Sequence, residues 1–258
     1  MKTRQKNKHN NIFSVEGKVI VVTGGAGYLG SEYVRALSHA GAHVIVWDKK
    51  DGMDITNEKE VQQAVKNIVK KYGRIDGLIN NAAMNAKSDS PEARGQFVPY
   101  EDYPIDLWEK ELKVNLTGTM ICTKVVAPVM MKQKSGSIVN VASELSVIAH
   151  DRRIYNDRTD TKFKSIAYTT TKSALLGFSR QWAARLGTYG VRVNTFSPSG
   201  VEKKNQKKDF ILRYSATTML NRMAKLDEYN GVLIFLCSDA SRFMTGHNLV
   251  VDGGRTAW

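Results

Sequence analysis

The chain predicts a doubly wound α/β domain, a parallel sheet of about seven strands with helices on both faces. Three observations carry that expectation. A short apolar β-branched run, Lys18-Val19-Ile20-Val21-Val22, leads into the loop Thr23-Gly24-Gly25-Ala26-Gly27-Tyr28-Leu29-Gly30, and a helical pattern follows from Ser31 to Ala40. Strand-like and helix-like segments then alternate to the C-terminus with no internal repeat or long linker. The 258 residues, 42% of them hydrophobic, are also enough to bury one large core.

The elements read in order. Residues 1–13, with Lys2, Arg4, Lys6 and Lys8, form a basic tail expected to be disordered, and residues 14–258 form the single domain. After the first strand, Gly24 and Gly25 permit a tight strand-to-helix turn, Gly27 lets backbone approach a pyrophosphate, and Gly30 lets the helix pack closely. His43 to Trp47 is the second strand and ends in Asp48, 18 residues after Gly30. An acid there can accept hydrogen bonds from the adenosine ribose and would repel a 2′-phosphate, which favours NAD. Lys49 and Lys50 beside it leave NADP open. A helix over 57–72 and a strand over 75–80 come next, closed by the small residues of Asn80-Asn81-Ala82-Ala83. A loop carrying Pro91, Pro99 and Pro104 then precedes Asp106-Leu107-Trp108-Glu109, which reads as a capping box opening a long helix to Lys134. Ser137 to Ser143 is a strand, Ser165 to Thr188 a helix, Val191 to Ser197 a strand and His247 to Val251 the last strand.

Composition narrows the function classes. Net charge is +13, concentrated in the tail and in a segment with Lys203, Lys204, Lys207, Lys208, Arg213, Arg222 and Lys225. No aromatic-basic recognition motif accompanies the charge, so nucleic-acid binding is not expected. The segment over residues 199–226 is expected to be a cationic lid over an anionic substrate. No apolar run approaches the roughly 18 residues of a membrane span, and no apolar stretch follows the basic N-terminus, so neither membrane nor secretion is expected. Cys122 and Cys237 stand far apart in apolar helical patterns, as reduced thiols of a cytoplasmic protein would, and no His or Cys spacing suggests a metal.

The chemistry centres on Ser143, Tyr168 and Lys172. Ser143 closes a strand, and Tyr168 and Lys172, at i and i+4, share one helix face. Gly24 to Gly30, Asp48, Asn80, Ser143 and Pro198 all fall at carboxyl ends of predicted strands, where ligands of open α/β sheets bind.

With these residues in place, the sequence resembles the short-chain dehydrogenase/reductase family in its smaller single-domain branch. The resemblance runs from Phe13 to Gly254 through Thr23-Gly24 and the glycine loop, Asp54-Ile55, Asn80-Asn81-Ala82-Ala83, Val114-Asn115 and Ser143. It continues with Tyr168 to Lys172, Val191 to Asn194, Pro198, Thr245-Gly246 and Val251 to Gly254. It implies a Rossmann-type fold, Tyr168 as general acid–base, Lys172 lowering the tyrosine pKa and binding the nicotinamide ribose, and Ser143 polarising the substrate oxygen. It also implies Asn115 holding a water that links Lys172 to solvent. Cofactor contacts would come from Gly24, Gly27, Tyr28, Leu29, Gly30, Asp48, Asp54, Ile55, Asn81, Ala82, Pro198 and Val201, together with Tyr168 and Lys172. Three departures stand out: Tyr28 where this branch carries Gly, Lys203 where a Thr usually grips the carboxamide, and 25 residues between Ser143 and Tyr168 instead of about a dozen.

The expected activity is therefore hydride transfer between NAD and a hydroxyl or carbonyl carbon of a polar, anionic, sugar-like small molecule. The chain is similar to short-chain dehydrogenases of bacterial surface or flagellin sugar modification. Alternatives are a 3-oxoacyl carrier-protein reductase, whose basic face would dock an acidic carrier, and a non-catalytic binding or assembly subunit. The resemblance further implies a homotetramer, with a dimer as the smaller option, paired through the two long helices and the last strand.

Overall fold

The computed structural model describes residues 11–85, 95–155 and 163–258. The basic residues of the N-terminal tail and Pro91 lie outside them. Six parallel strands form one sheet in the order β2-β1-β3-β4-β5-β6: β1 Val19–Thr23, β2 His43–Trp47, β3 Gly77–Asn80, β4 Gly136–Val141, β5 Val191–Pro198 and β6 Asn248–Val251. The register is in phase across the middle, Val21 standing opposite both Ile45 and Leu78, and Leu78 opposite Ile138. The helices are α1 Tyr28–His39, α2 Glu58–Tyr72, α3 Ile105–Leu112, α4 Thr119–Gln133, α5 Ile166–Leu186, α6 Lys208–Ser215 and α7 Asn230–Cys237.

The unbroken apolar run of β1 follows from burial on both faces. Val19 and Val21 pack with Val61, Val65 and Ile68 of α2, Cys122, Val126 and Met130 of α4, and Leu186 of α5. Ile20 and Val22 point the other way, to Tyr33 and Leu37 of α1 and Leu233 and Leu236 of α7. Each such side chain contributes about 1.5–3 kcal/mol on burial, so the two layers fix the sheet from both sides. Cys122 and Cys237 sit in opposite layers as free, buried thiols.

Three expectations need correction. Six strands form among the described residues, not seven, and the chain leaves β2 through a local turn. Asp48 caps a short 3-10 turn, Lys49–Asp51, and Asp51 N and Met53 N both return to the Asp48 carbonyl at 3.0 Å. The capping box at Asp106 is also absent. The fixed φ of Pro104 starts α3 at Ile105 without a side-chain cap, which puts Asp106 inside the first turn, where its negative charge is favourable at the positive end of the helix dipole. The long helix itself is interrupted by a π turn, Lys113–Gly118. Finally, the run Ile105–Gln133 is long and apolar enough to cross a membrane by those criteria alone. Cys122, Val126, Ala127 and Met130 within it are buried in the core against the sheet.

Segment 199–226 folds back on itself. Val201 pairs with Ala224 in an isolated bridge, and Ala224 N donates to Gly200 O at 3.2 Å, so the base of the segment is closed and α6 is its body.

Candidate active site

Strand order places a crevice between β1 and β3, where the chain winds outward in opposite directions. The two strand ends are tied together there. Thr23 Oγ1 accepts from Asn81 N and Ala82 N at 3.0 Å each, and Asn81 Nδ2 donates to the carbonyls of Thr23 and Gly24 at 3.0 and 3.2 Å. Gly24 adopts φ +64, and a Cβ on it would lie 2.8 Å from Ala82 Cα. A Cβ on Gly30 would lie 2.1 Å from the Gly24 carbonyl, so only glycine lets α1 begin this close to the loop.

The N-terminus of α1 has no side-chain cap at Gly27 and no acid in its first turn. Its unpaired N–H groups therefore offer an anion site. Asp48, at the tip of β2, takes Ala26 N on Oδ2 at 3.0 Å and Lys50 N on Oδ1 at 2.9 Å. Asp54 accepts from both Thr56 N and Thr56 Oγ1 at 2.8 Å, and these bonds hold its carboxyl below the usual range. A cavity of about 900 Å³ runs from this end past Gly27, Tyr28, Leu29, Ile55, Asn81 and Ala82 to Pro198 and Val201. An uncapped helix end, a glycine cradle closed to any Cβ and an acid at the second strand tip fit a dinucleotide.

Ser143, Tyr168 and Lys172 line the same cavity further on. β4 ends two residues before Ser143, whose side chain caps a 3-10 turn, Glu144–Ser146, by accepting Leu145 N at 3.2 Å. Ser165 Oγ caps α5 by accepting Tyr168 N at 3.0 Å, which puts Tyr168 in the first turn and Lys172 one turn on. Lys172 Nζ donates to Val141 O at 2.6 Å and lies 5.6 Å from the Tyr168 ring centre. Burial, with the charge of Lys164, brings its pKa down to about 7. The Tyr168 phenol is pushed above its ordinary value, by burial first and then by the Glu144 charge, while a hydrogen bond with Ser143 acts the other way. This direction is opposite to the lowering that the resemblance implies, because desolvation is the largest effect on the phenol and Lys172 Nζ is engaged with Val141 O.

Asn115 lies behind this group, in the π turn. Its Oδ1 accepts Met84 N at 2.7 Å, and its Nδ2 donates to Met84 O at 3.3 Å and Thr171 Oγ1 at 3.2 Å. The side chain thus ties the loop after β3 to α5, beside Lys172. Of the predicted site residues, Asn115 alone is outside the cavity lining.

Sequence reading missed the far end of the cavity. Glu144 is buried: Oε2 accepts from Ser143 Oγ at 3.0 Å, and Oε1 from Tyr214 OH at 2.9 Å and Arg255 Nη1 at 3.4 Å. Burial raises its pKa, against the pull of Arg255, Tyr214 and Ser143. His150, Tyr155, Lys164 and Phe210 complete this end. The only signals were adjacency: Glu144 follows Ser143, Lys164 precedes Tyr168 by one turn and Arg255 follows Gly254. Tyr28, the departure in the glycine loop, reaches across to the lid. Its hydroxyl donates to Glu202 O at 3.3 Å, and Lys203 Nζ stands 4.5 Å from its ring centre. Lys204, Lys207 and Lys208 are exposed and outside the lining, and Arg213 and Arg222 pair with Asp209 and Glu228.

A dinucleotide cradle at the switch point, leading to a Ser, a Tyr and a Lys in one cavity, defines the class of dinucleotide-dependent oxidoreductases. A family profile described as enoyl-(acyl carrier protein) reductase matches residues 25–256. Momilactone A synthase of Oryza sativa subsp. japonica is 34% identical, over 92% of this chain and 89% of its own. A short chain dehydrogenase from Leptospira borgpetersenii, solved with bound NAD+, is 31% identical with TM-score 0.80, over 93% of each chain. A gluconate 5-dehydrogenase from Burkholderia cenocepacia, solved with NADP and tartrate, is 25% identical with TM-score 0.81, over 96% of this chain and 98% of its own. The chain belongs to the short-chain dehydrogenase/reductase family, and it is an oxidoreductase acting between CH–OH and C=O with NAD(P).

Proposed function

We propose that the protein transfers hydride between NAD and a hydroxyl or carbonyl carbon of a polar, anionic, sugar-like substrate. The observation that carries this reading is the single cavity joining the uncapped start of α1 to Ser143, Tyr168 and Lys172. Bound NAD supplies the hydride acceptor, and NADH the donor. The chain's own groups do the rest. Tyr168, protonated in the ligand-free site, gives its proton to the substrate oxygen in reduction and must first lose it in oxidation. Ser143, whose hydroxyl rests on Glu144, turns to the substrate oxygen where negative charge develops. Lys172 would hold the ribose and support the phenolate, and Asn115, tied to α5 through Thr171, would hold a water linking Lys172 to solvent.

NAD is favoured over NADP by the Asp48 carboxylate. The anionic substrate is supported by the cations at the far end of the cavity, and tartrate in the Burkholderia neighbour is in keeping with it. The same reading assigns the protein to the cytoplasm, to surface-sugar modification and to a homotetramer. Incubation with NAD+ and a panel of polyols, sugar acids, sugar phosphates and nucleotide sugars, read as NADH absorbance, tests it. NADH formation with an anionic compound supports the reading, and formation with neutral polyols alone contradicts the charge assignment.

A second reading is a 3-oxoacyl carrier-protein reductase. Exposed Lys204, Lys207 and Lys208, beside a segment that borders the cavity, are suited to an acidic carrier. The charged groups Glu144, Lys164 and Arg255 at the substrate end are poor company for an acyl chain. NADPH-dependent reduction of acetoacetyl carrier protein would favour this reading over the first.

A further inference from the structure

The far end of the cavity holds a cation whose hydrogen bonds are not all made. Arg255 follows β6, and its side chain is 3% exposed. Nη1 donates to Glu144 Oε1 at 3.4 Å, and the guanidinium lies over the Tyr214 ring at 4.5 Å. Nη2 is buried and has no partner among the described residues. Burying a guanidinium N–H without an acceptor is costly, and since Arg255 lines the cavity the unmade bond points to a missing ligand group.

Two neighbours flank Arg255. Lys164, half-buried, donates from Nζ to Asn85 Oδ1 and stands 4.5 Å from the Tyr168 ring centre, and desolvation brings its pKa to about 8. His150 Nδ1 is buried without a partner among the described residues. Burial, and then the charges of Lys164 and Arg255, hold His150 neutral with a pKa of about 4. Both cations therefore act on the same small volume. Glu144 is the acid that lines this end, facing the cations Arg255, Lys164, Lys172 and Lys203 of the same lining, and the buried Glu111 carboxylate also acts on Lys164.

We infer that Arg255, with Lys164 and His150, forms a subsite for a single carboxylate of the substrate, held beyond the carbon that reacts at Ser143 and Tyr168. This inference rests on the reading above that the cavity is the substrate site of an NAD(P)-dependent oxidoreductase. A carboxylate brings negative charge to a lining rich in cations and matches the planar guanidinium fork. A phosphate dianion would press a second negative charge towards Glu144. A neutral polyol would give the unpaired Arg255 Nη2 no charged partner. The substrate class is thus a hydroxy acid, or the matching keto acid, with its carboxylate remote from the reacting carbon.

The test compares D-glycerate, D-erythronate, D-gluconate and L-tartrate with their primary amides, binding each to the NADH-loaded protein by calorimetry and measuring turnover with NAD+. Expected is at least one acid that binds at least about tenfold more tightly than its amide, a preference lost in high salt. Arg255→Gln should weaken that acid by about tenfold or more and its amide by less than about twofold, leaving acid and amide alike. Inorganic phosphate binding as tightly as the best acid would overturn the carboxylate assignment. So would amides equal to acids in the wild-type protein, a comparison that needs no variant. Binding of NADH with turnover of neutral polyols but no acid would sink the subsite and leave the oxidoreductase reading standing. Absence of NADH binding would sink both.

Discussion

Replacing Asp48 with Ser should shift cofactor choice by one to two orders of magnitude. The Asp48 carboxylate is 9% exposed, and each of its oxygens accepts one backbone N–H, from Ala26 and Lys50. Each oxygen retains a second lone pair for a ribose hydroxyl, and a hydrogen bond to an ionised group contributes about 1.5–3 kcal/mol. A 2′-phosphate about 5 Å away at an effective dielectric of about 20 would be repelled by roughly 3 kcal/mol per unit charge. Lys49, which lines the cavity, and Lys50, whose Nζ reaches Ala26 O at 3.3 Å, reduce that figure. Halving it leaves about 1.4–3 kcal/mol in favour of NADH, or about 10–100-fold. Serine keeps an oxygen able to cap the turn at Lys50, so the loop should survive. Fluorescence titration should then show NADH binding weakened about tenfold and NADPH strengthened about tenfold, with the difference shrinking as salt rises. Equal affinities for the two in the wild-type protein, or an unchanged ratio in the variant, would refute the reasoning.

Other consequences follow from the same geometry. Gly30→Ala should weaken NADH binding by more than about tenfold, since its Cβ would meet the Gly24 carbonyl at 2.1 Å and push α1 off the loop; unaltered titration would count against the cradle. Lys172→Met should stabilise the protein most at low pH. The folded-state pKa of Lys172, about 7, lies below its unfolded value of 10.5, so its burial penalty is full below about pH 7 and fades as pH rises to 10.5. After loss of the bond to Val141 O, a net gain of about 1–2 kcal/mol, or several degrees in Tm, is expected at pH 6 and little at pH 10. A pH-independent Tm difference would contradict the sign. Light scattering should give a tetramer of the 28.8 kDa chain, covering Met120 on α4 and the fully exposed Phe243; a monomer at micromolar concentration would exclude that assembly.

What the sequence made legible was whatever depends on near neighbours in the chain. The β1 run, the glycine loop, the acid closing β2 and the Tyr168–Lys172 spacing are local patterns, and the structure brings them to one cavity. The far wall is assembled from Glu144, His150, Lys164, Tyr214 and Arg255, which the order of β4, β5 and β6 brings together from distant stretches. No spacing rule reaches across such separations. The π turn around Asn115 was hidden for a similar reason, since its side chain bonds to Met84 and Thr171 from other elements. The lid was read from charge, yet α6 is held by what it buries: Tyr214, 4% exposed, donates to Glu144 and accepts Gly200 N at 2.6 Å.

The central claim is that Tyr168 moves the proton that accompanies hydride transfer. Tyr168→Phe removes one hydroxyl and leaves the ring, the cap at Ser165 and the cofactor cradle intact. Measured side by side on this variant, turnover should fall by at least about a hundredfold, as loss of a general acid–base does, while the NADH dissociation constant stays within about twofold. Turnover at the wild-type rate, with NADH bound as before, would contradict the assignment of this cavity.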